Sequence, residues 1–135
     1  MERCEILKEE YIKQVQELIN NWKDKAIKLR KQGAEDDAIL ENIKVNVIDI
    51  FSKMFDISYN KVCNGKDEDD IKLDNLYETY LEYFNKIPKS WIEKREKDKE
   101  HGMMKEYYIE QIKLETADMV KNLFLDHYNK ICEDE

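Results

Sequence analysis

The chain has 135 residues, enough for one domain with its own core, and 41% of the residues are hydrophobic while 40% are charged. With three glycines and one proline it offers too few turn residues for a β-sandwich, so the composition predicts an all-α protein. The formal net charge of -8 argues against nucleic-acid binding, which depends on lysine and arginine replacing the counterions of the phosphate backbone.

No apolar stretch reaches the length of about 18 residues that spans a bilayer, and the first residues lack the apolar core of a signal peptide. We therefore expect a cytoplasmic protein that does not bind membranes. Three cysteines without zinc-ligand spacing fit reduced thiols in that compartment.

The first half of the chain has the pattern of two amphipathic helices. Between Cys4 and Leu29, apolar residues recur every three or four positions, which predicts a helix that ends near Lys31. Gly33 suits the left-handed conformation that commonly ends a helix, and a second apolar stripe predicts a helix that ends near Val62. Residues 64–72 are acidic and are interpreted as a linker.

The second half has two further apolar stripes, and Pro88 interrupts the first of them. A proline inside a helix removes a hydrogen bond, so this helix is expected to kink or to restart with Ser90 as its N-cap. Asn21 occupies the position of Ser90 in the first half and could cap in the same way. The sequence therefore predicts four long helices, or six if both of these helices break.

Many residues recur at an offset of 69, including the pairs Trp22 and Trp91, Gly33 and Gly102, and Tyr59-Asn60-Lys61 and Tyr128-Asn129-Lys130. This recurrence predicts a tandem duplication within the single domain 1–135, with repeats at 4–63 and 73–132. Each repeat would be an antiparallel helical hairpin, and the two hairpins would form one pseudo-two-fold bundle.

Hairpins that turn at Gly33 and Gly102 place residues at equal distances from the turn side by side. The expected neighbours are Tyr11 with Phe55, Trp22 with Lys44, Lys25 with Glu41, Tyr80 with Phe124, Trp91 with Lys113, and Lys94 with Glu110. Apolar, cation–π and ionic pairs of this kind hold a fold together. The same geometry places Cys4 beside Cys63, either as a disulfide or as free buried thiols.

Four carboxylates have a spacing that suggests metal chemistry: Glu93, Glu96, Glu115 and Asp118. Their order, Glu-x-x-Glu followed by Glu-x-x-Asp, resembles the signature of the all-α nucleotide pyrophosphohydrolases of the dimeric dUTPase type. In that family such carboxylates hold Mg²⁺ ions that bridge the triphosphate and activate water. The resemblance implies that these four residues are Mg²⁺ ligands, and it covers only this short segment.

The second half is richer in tyrosine than the first, at Tyr77, Tyr83, Tyr107 and Tyr108. The turn geometry around Gly102 places Tyr77 opposite His127. These five residues are our predicted binding residues, lining a groove for a partner helix or a small ligand, because aromatic anchors dominate interface energetics. The alternative is that the rings pack a core disturbed by the proline.

The sequence contains no glycine-rich loop for a phosphate and no residues arranged as an activated nucleophile. The leading functional hypothesis is therefore a non-enzymatic, cytosolic helical protein–protein interaction module that binds a protein partner or another copy of itself, without a cofactor or metal. The alternative hypothesis is a Mg²⁺-dependent nucleotide pyrophosphohydrolase that uses the four carboxylates.

Overall fold

The computed structural model describes residues 1–133 and is built from helices. In chain order these are α1 (Arg3–Lys31), α2 (Glu35–Val62), α3 (Asp69–Lys86), α4 (Lys89–Glu100) and α5 (Met104–Glu133). No strand occurs within residues 1–133, which confirms the all-α prediction. In the same described part of the chain, no helix is both long enough and apolar enough to cross a membrane.

Two predicted helix boundaries are correct and two predicted caps are wrong. Helices α1 and α2 end at Lys31 and Val62 as expected, but α1 continues through Asn21 without a break. Ser90 lies inside α4, which begins at Lys89 directly after Pro88. Because proline has no backbone N–H, it is well tolerated at a helix start and needs no partner there. The result is five helices in the described chain, where four or six were expected.

The acidic linker is shorter than predicted, because α3 already begins at Asp69. Asp69 accepts a 2.9 Å hydrogen bond from Nε of Arg3, and Asp70 forms a further ion pair with the same guanidinium. Lys72 is buried, and its ammonium lies 3.1 Å from a carboxylate oxygen of Glu2. Asp69 and Asp70 therefore lie in the first turn of α3, where negative charge complements the helix dipole. Their ion pairs with Arg3 also hold the start of α1 against α3.

Both tight turns use a glycine with a positive φ angle, 81° at Gly33 and 68° at Gly102. One residue later the chain makes the same capping bond in each turn: Ala34 N donates to Leu29 O and Met103 N donates to Asp98 O, both at 2.8 Å. These bonds are typical of the Schellman motif, which satisfies carbonyl groups at the end of a helix.

The centre of the core is a cluster of aromatic rings from four helices. Tyr11 of α1, Phe55 of α2, Tyr80 of α3 and Phe124 of α5 are fully buried, and their ring centroids lie 4.8–6.2 Å apart. The hydroxyls of Tyr11 and Tyr80 are 2.6 Å apart. The Tyr80 hydroxyl also donates to the carbonyl of Phe51 at 3.0 Å, so the buried polar atoms are paired.

Charged clusters flank this core at the predicted positions. Glu41 of α2 lies 3.3 Å from Lys25 and 3.2 Å from Lys44, and the Lys44 ammonium lies 5.9 Å from the centre of the Trp22 ring.

The corresponding cluster of the second half contains the same kinds of residue and one more carboxylate, the buried Asp98, which lies 2.9 Å from Lys94. Glu110 of α5 lies 3.8 Å from Lys94 and 3.2 Å from Lys113, and Lys113 lies 5.9 Å from the Trp91 ring. Both glutamates are buried, and the Oε2 atom of each accepts no hydrogen bond within the described residues. A buried carboxylate oxygen of this kind carries an unrecovered desolvation cost.

Cys4 and Cys63 are buried free thiols, as one of the two sequence-based alternatives expects. Their mutual hydrogen bond and their burial raise the pKa of the Cys4 thiol. The contact joins the start of α1 to the end of α2 and closes the first hairpin.

Helices α2 and α5 run in the same direction. Their first turns line a common groove, and further along Phe55 of α2 lies 6.2 Å from Phe124 of α5. The turns at Gly33 and Gly102 therefore lie at one end of the bundle, which we call the turn end. The segment between α2 and α3 and the start of α1 lie at the opposite end.

Candidate functional site

The structure does not bring the five predicted binding residues into one groove. Tyr107 and Tyr108 lie near the start of α5, in ring contact at 5.9 Å, whereas His127 lies near the end of the same helix. At 1.5 Å per residue this separation is about 30 Å. Tyr83 is half-buried against the core. The five residues therefore belong to different parts of the surface.

The predicted pairing of Tyr77 with His127 gives way to other contacts. The Tyr77 ring packs against Tyr128, with centroids 4.8 Å apart. The Nε2 atom of His127 lies 2.6 Å from Oε1 of Gln14, and its ring makes an edge contact with Tyr11 at 6.1 Å. Counting from Gly102 predicts the correct position along α5, but the residue that contacts Tyr77 is Tyr128, one residue after His127. Adjacent residues on a helix point about 100° apart, so a shift of one residue changes which side chain makes the contact.

The four carboxylates with the spacing of a metal site are all exposed. Glu96 pairs with Arg95 at 3.2 Å, and Glu115 accepts a 3.1 Å hydrogen bond from Gln111. Within residues 1–133, no three His, Cys, Asp or Glu side chains are grouped so that they could hold a metal ion. Where α4 meets α5, Arg95 donates to Gln111 at 2.9 Å.

A groove of about 580 Å³ runs between α1 and α5. Its lining contains the apolar residues Leu18, Met119 and Leu123, the amides Gln14 and Asn122, and the carboxylates Glu115, Asp118 and Asp126. We call this surface the acidic groove. Met119 is 42% exposed, so the groove offers apolar surface to a ligand beside three negative charges and no positive one among its lining residues.

Several residues at the offset of 69 from this lining are different in kind. Tyr83 stands for Gln14 and Ile87 for Leu18, and both pack against the core. Lys53 stands for Asn122 and pairs at 2.9 Å with Asp49, the counterpart of Asp118. Asn46 and Ile57 stand for Glu115 and Asp126. Among these counterparts the negative charge of Asp49 is balanced by Lys53. In the acidic groove no lysine or arginine among the lining residues balances the carboxylates, and the shorter Gln14 stands in place of a tyrosine.

A second, smaller groove lies at the turn end and contains about 290 Å³. It is lined by Asp36, Ile39 and Leu40 of α2 and by Lys105, Tyr108 and Ile109 of α5. Four large apolar side chains are exposed here: Ile39 (41%), Met103 (46%), Met104 (48%) and Tyr108 (61%). Tyr108 is one of the binding residues predicted from the sequence. The groove itself is not predicted, because it exists only where the first turns of α2 and α5 meet.

No protein-family model, curated protein or solved structure matches this chain. A functional proposal for this protein therefore rests on the geometry of its own surface.

Proposed function

We propose that this protein is a non-enzymatic helical interaction module of the cytoplasm and that it binds a cationic amphipathic helix in the acidic groove. The observation that carries the proposal is the combination of exposed Met119 with Glu115, Asp118 and Asp126 in one open groove between two helices. An amphipathic helix binds by laying an apolar stripe into such a groove, and lysines or arginines on its flanks complement acidic walls.

The proposal includes the tandem duplication with a pseudo-two-fold axis along the bundle. It is supported by contacts that recur at the offset of 69. Tyr11 meets its own counterpart Tyr80, and Phe55 lies beside its counterpart Phe124. The glutamate and two lysines of the ionic cluster at Glu41 recur in that at Glu110.

The duplication separates residues that hold the fold from residues that differ between the halves. Many of the retained residues, such as Tyr11, Phe55 and Glu41, occupy the core and its flanking clusters. The acidic groove combines one retained carboxylate, Asp118, with two at positions that differ: Glu115 where the first half has Asn46, and Asp126 where it has Ile57. Glu115 and Asp126 belong neither to the core nor to the ionic clusters that flank it, so a binding role is the simpler account of their position beside Asp118.

The test is a titration of the protein into a fluorescent model helix with leucine on one face and lysine on the other. The triple variant Glu115→Gln, Asp118→Asn, Asp126→Asn removes the charge of the groove. Three exposed pairs at about 0.5 kcal/mol each correspond to an affinity about 10-fold weaker, and the wild-type affinity should fall as salt rises.

The matched control removes the same total charge elsewhere, at Asp56→Asn, Glu78→Gln and Glu93→Gln, all exposed. A peptide with the same apolar face and glutamate in place of lysine tests the sign of the charge. Equal weakening by both triple variants, or equal binding of both peptides, would contradict recognition in the groove.

The Mg²⁺-dependent pyrophosphohydrolase hypothesis has no gathered carboxylate group in residues 1–133 to support it. Thermal unfolding with Mg²⁺ and nucleoside triphosphates tests it directly, since saturating ligand adds about 2.7 kcal/mol of stability at 100 times its dissociation constant. We expect no Mg²⁺-dependent rise in melting temperature.

A further inference from the structure

We propose that the turn end of the bundle is a self-association surface, at which two copies of this chain meet across a two-fold axis. This surface is separate from the acidic groove, and each proposal stands or fails without the other.

The apolar part of this surface is concentrated in a short stretch of two neighbouring helix starts. Met104 and Tyr108 are four residues apart on α5 and so lie on one face, and Ile39 of α2 lines the same groove as Tyr108. Clustered exposed apolar side chains of this kind are typical of protein contact sites. Tyrosine and methionine are also enriched in interfaces.

The charges on the two sides of the groove identify a second copy as the occupant. Asp36 lies on the α2 side and Lys105 on the α5 side, and both are exposed. A partner of one charge would attract one side and repel the other. A second copy turned by 180° places its lysine against the aspartate of the first chain and its aspartate against the lysine, so that both sides are complementary at once.

The same charges select one of the two face-to-face arrangements. Turning the second copy about the line that joins Asp36 to Lys105 would place like charges together. Turning it about the perpendicular direction pairs opposite charges twice. Both arrangements are isologous, and the charges select the second, in which the Tyr108 and Ile39 side chains of the two copies pack between the ionic pairs.

Sedimentation measurements over a concentration series test the proposal, up to about 1 mM chain, where even a millimolar dimer is substantially populated. The single variants Asp36→Lys and Lys105→Asp each turn two attractive pairs into repulsive ones, which should weaken the dimer about 30-fold. Mixing the two variants in equal amounts restores opposite charges across the interface, so the mixture should form a heterodimer of roughly wild-type affinity.

Tyr108→Glu should abolish the dimer without lowering the melting temperature measured at concentrations where the wild type is monomeric, because the side chain is 61% exposed. Glu9→Lys, an exposed change of equal charge near the opposite end of α1, should leave the dimer intact. A wild-type chain that stays monomeric at about 1 mM would overturn the proposal. So would a dimer that resists Tyr108→Glu, or single-charge variants that fail to recover on mixing.

Discussion

Removing the hydroxyl of Tyr80 should destabilise the protein more than removing that of Tyr11, although the two form one hydrogen bond. The Tyr80 hydroxyl uses its only hydrogen on the carbonyl of Phe51, at 3.0 Å. Tyr11 must therefore be the donor in the 2.6 Å contact between the two hydroxyls. The two rings are completely buried, so no bulk water can replace a lost partner.

The direction of donation sets the magnitudes. Tyr80→Phe leaves the Tyr11 hydroxyl buried and unpaired, which should cost about 2 kcal/mol of unfolding free energy. Tyr11→Phe removes one bond but leaves Tyr80 bonded to Phe51, which should cost about 1 kcal/mol. The double variant leaves neither hydroxyl behind, so its cost should be about 1.5 kcal/mol, well below the sum of the single costs.

Urea unfolding of the four proteins, followed by circular dichroism, measures these free energies. Tyr108→Phe is the matched control, because its ring is exposed and its change should stay within about 0.5 kcal/mol. An equal or larger cost for Tyr11→Phe would refute the assigned direction of donation. A double variant whose cost equals the sum would refute the coupling.

Other parts of the fold give independent expectations. Glu110→Leu should be neutral or stabilising by about 1 kcal/mol in urea unfolding, because it removes a buried carboxylate whose two lysine partners reach solvent; a loss above about 3 kcal/mol would contradict this. Gly102→Ala should cost about 1 kcal/mol, since its φ of 68° disfavours a side chain, whereas Gly65→Ala should change little; equal effects would be inconsistent with the turn. Burial raises the pKa of Tyr11 and of Tyr80, so their contribution is complete below about pH 10 and falls above it by about 1.4 kcal/mol per pH unit for each tyrosine. The Phe double variant should show a correspondingly flatter loss of stability at alkaline pH, and an unchanged slope would exclude this origin.

The sequence predicts the local packing of each hairpin well. Counting from the glycine places Trp22 beside Lys44, Lys25 beside Glu41 and Lys94 beside Glu110, as found. This works because a tight turn between two straight helices leaves little freedom in their relative register.

Contacts between hairpins are harder to predict from the sequence. Whether a groove stays open depends on which side chain fills the space between two helices. Gln14 lines the open groove between α1 and α5, whereas its counterpart Tyr83 packs against the core, and this difference is visible only when the helices are placed side by side. An acidic run is also ambiguous, because carboxylates suit both a solvated linker and the first turn of a helix. Asp69 and Asp70 prove to belong to a helix.

Methionine methyl resonances would test the central claim most directly, because the chain's five methionines sample different surfaces. Met119 lines the acidic groove, Met103 and Met104 lie at the turn end, and Met54 is partly buried against the core. With ¹³C-methyl labelling, the lysine-bearing model helix is titrated into the protein at a chain concentration low enough to keep it monomeric. We predict that the Met119 signal shifts in a saturable manner while those of Met54, Met103 and Met104 stay in place. A titration that leaves Met119 unchanged, or that shifts all methionines alike, would contradict binding in the acidic groove.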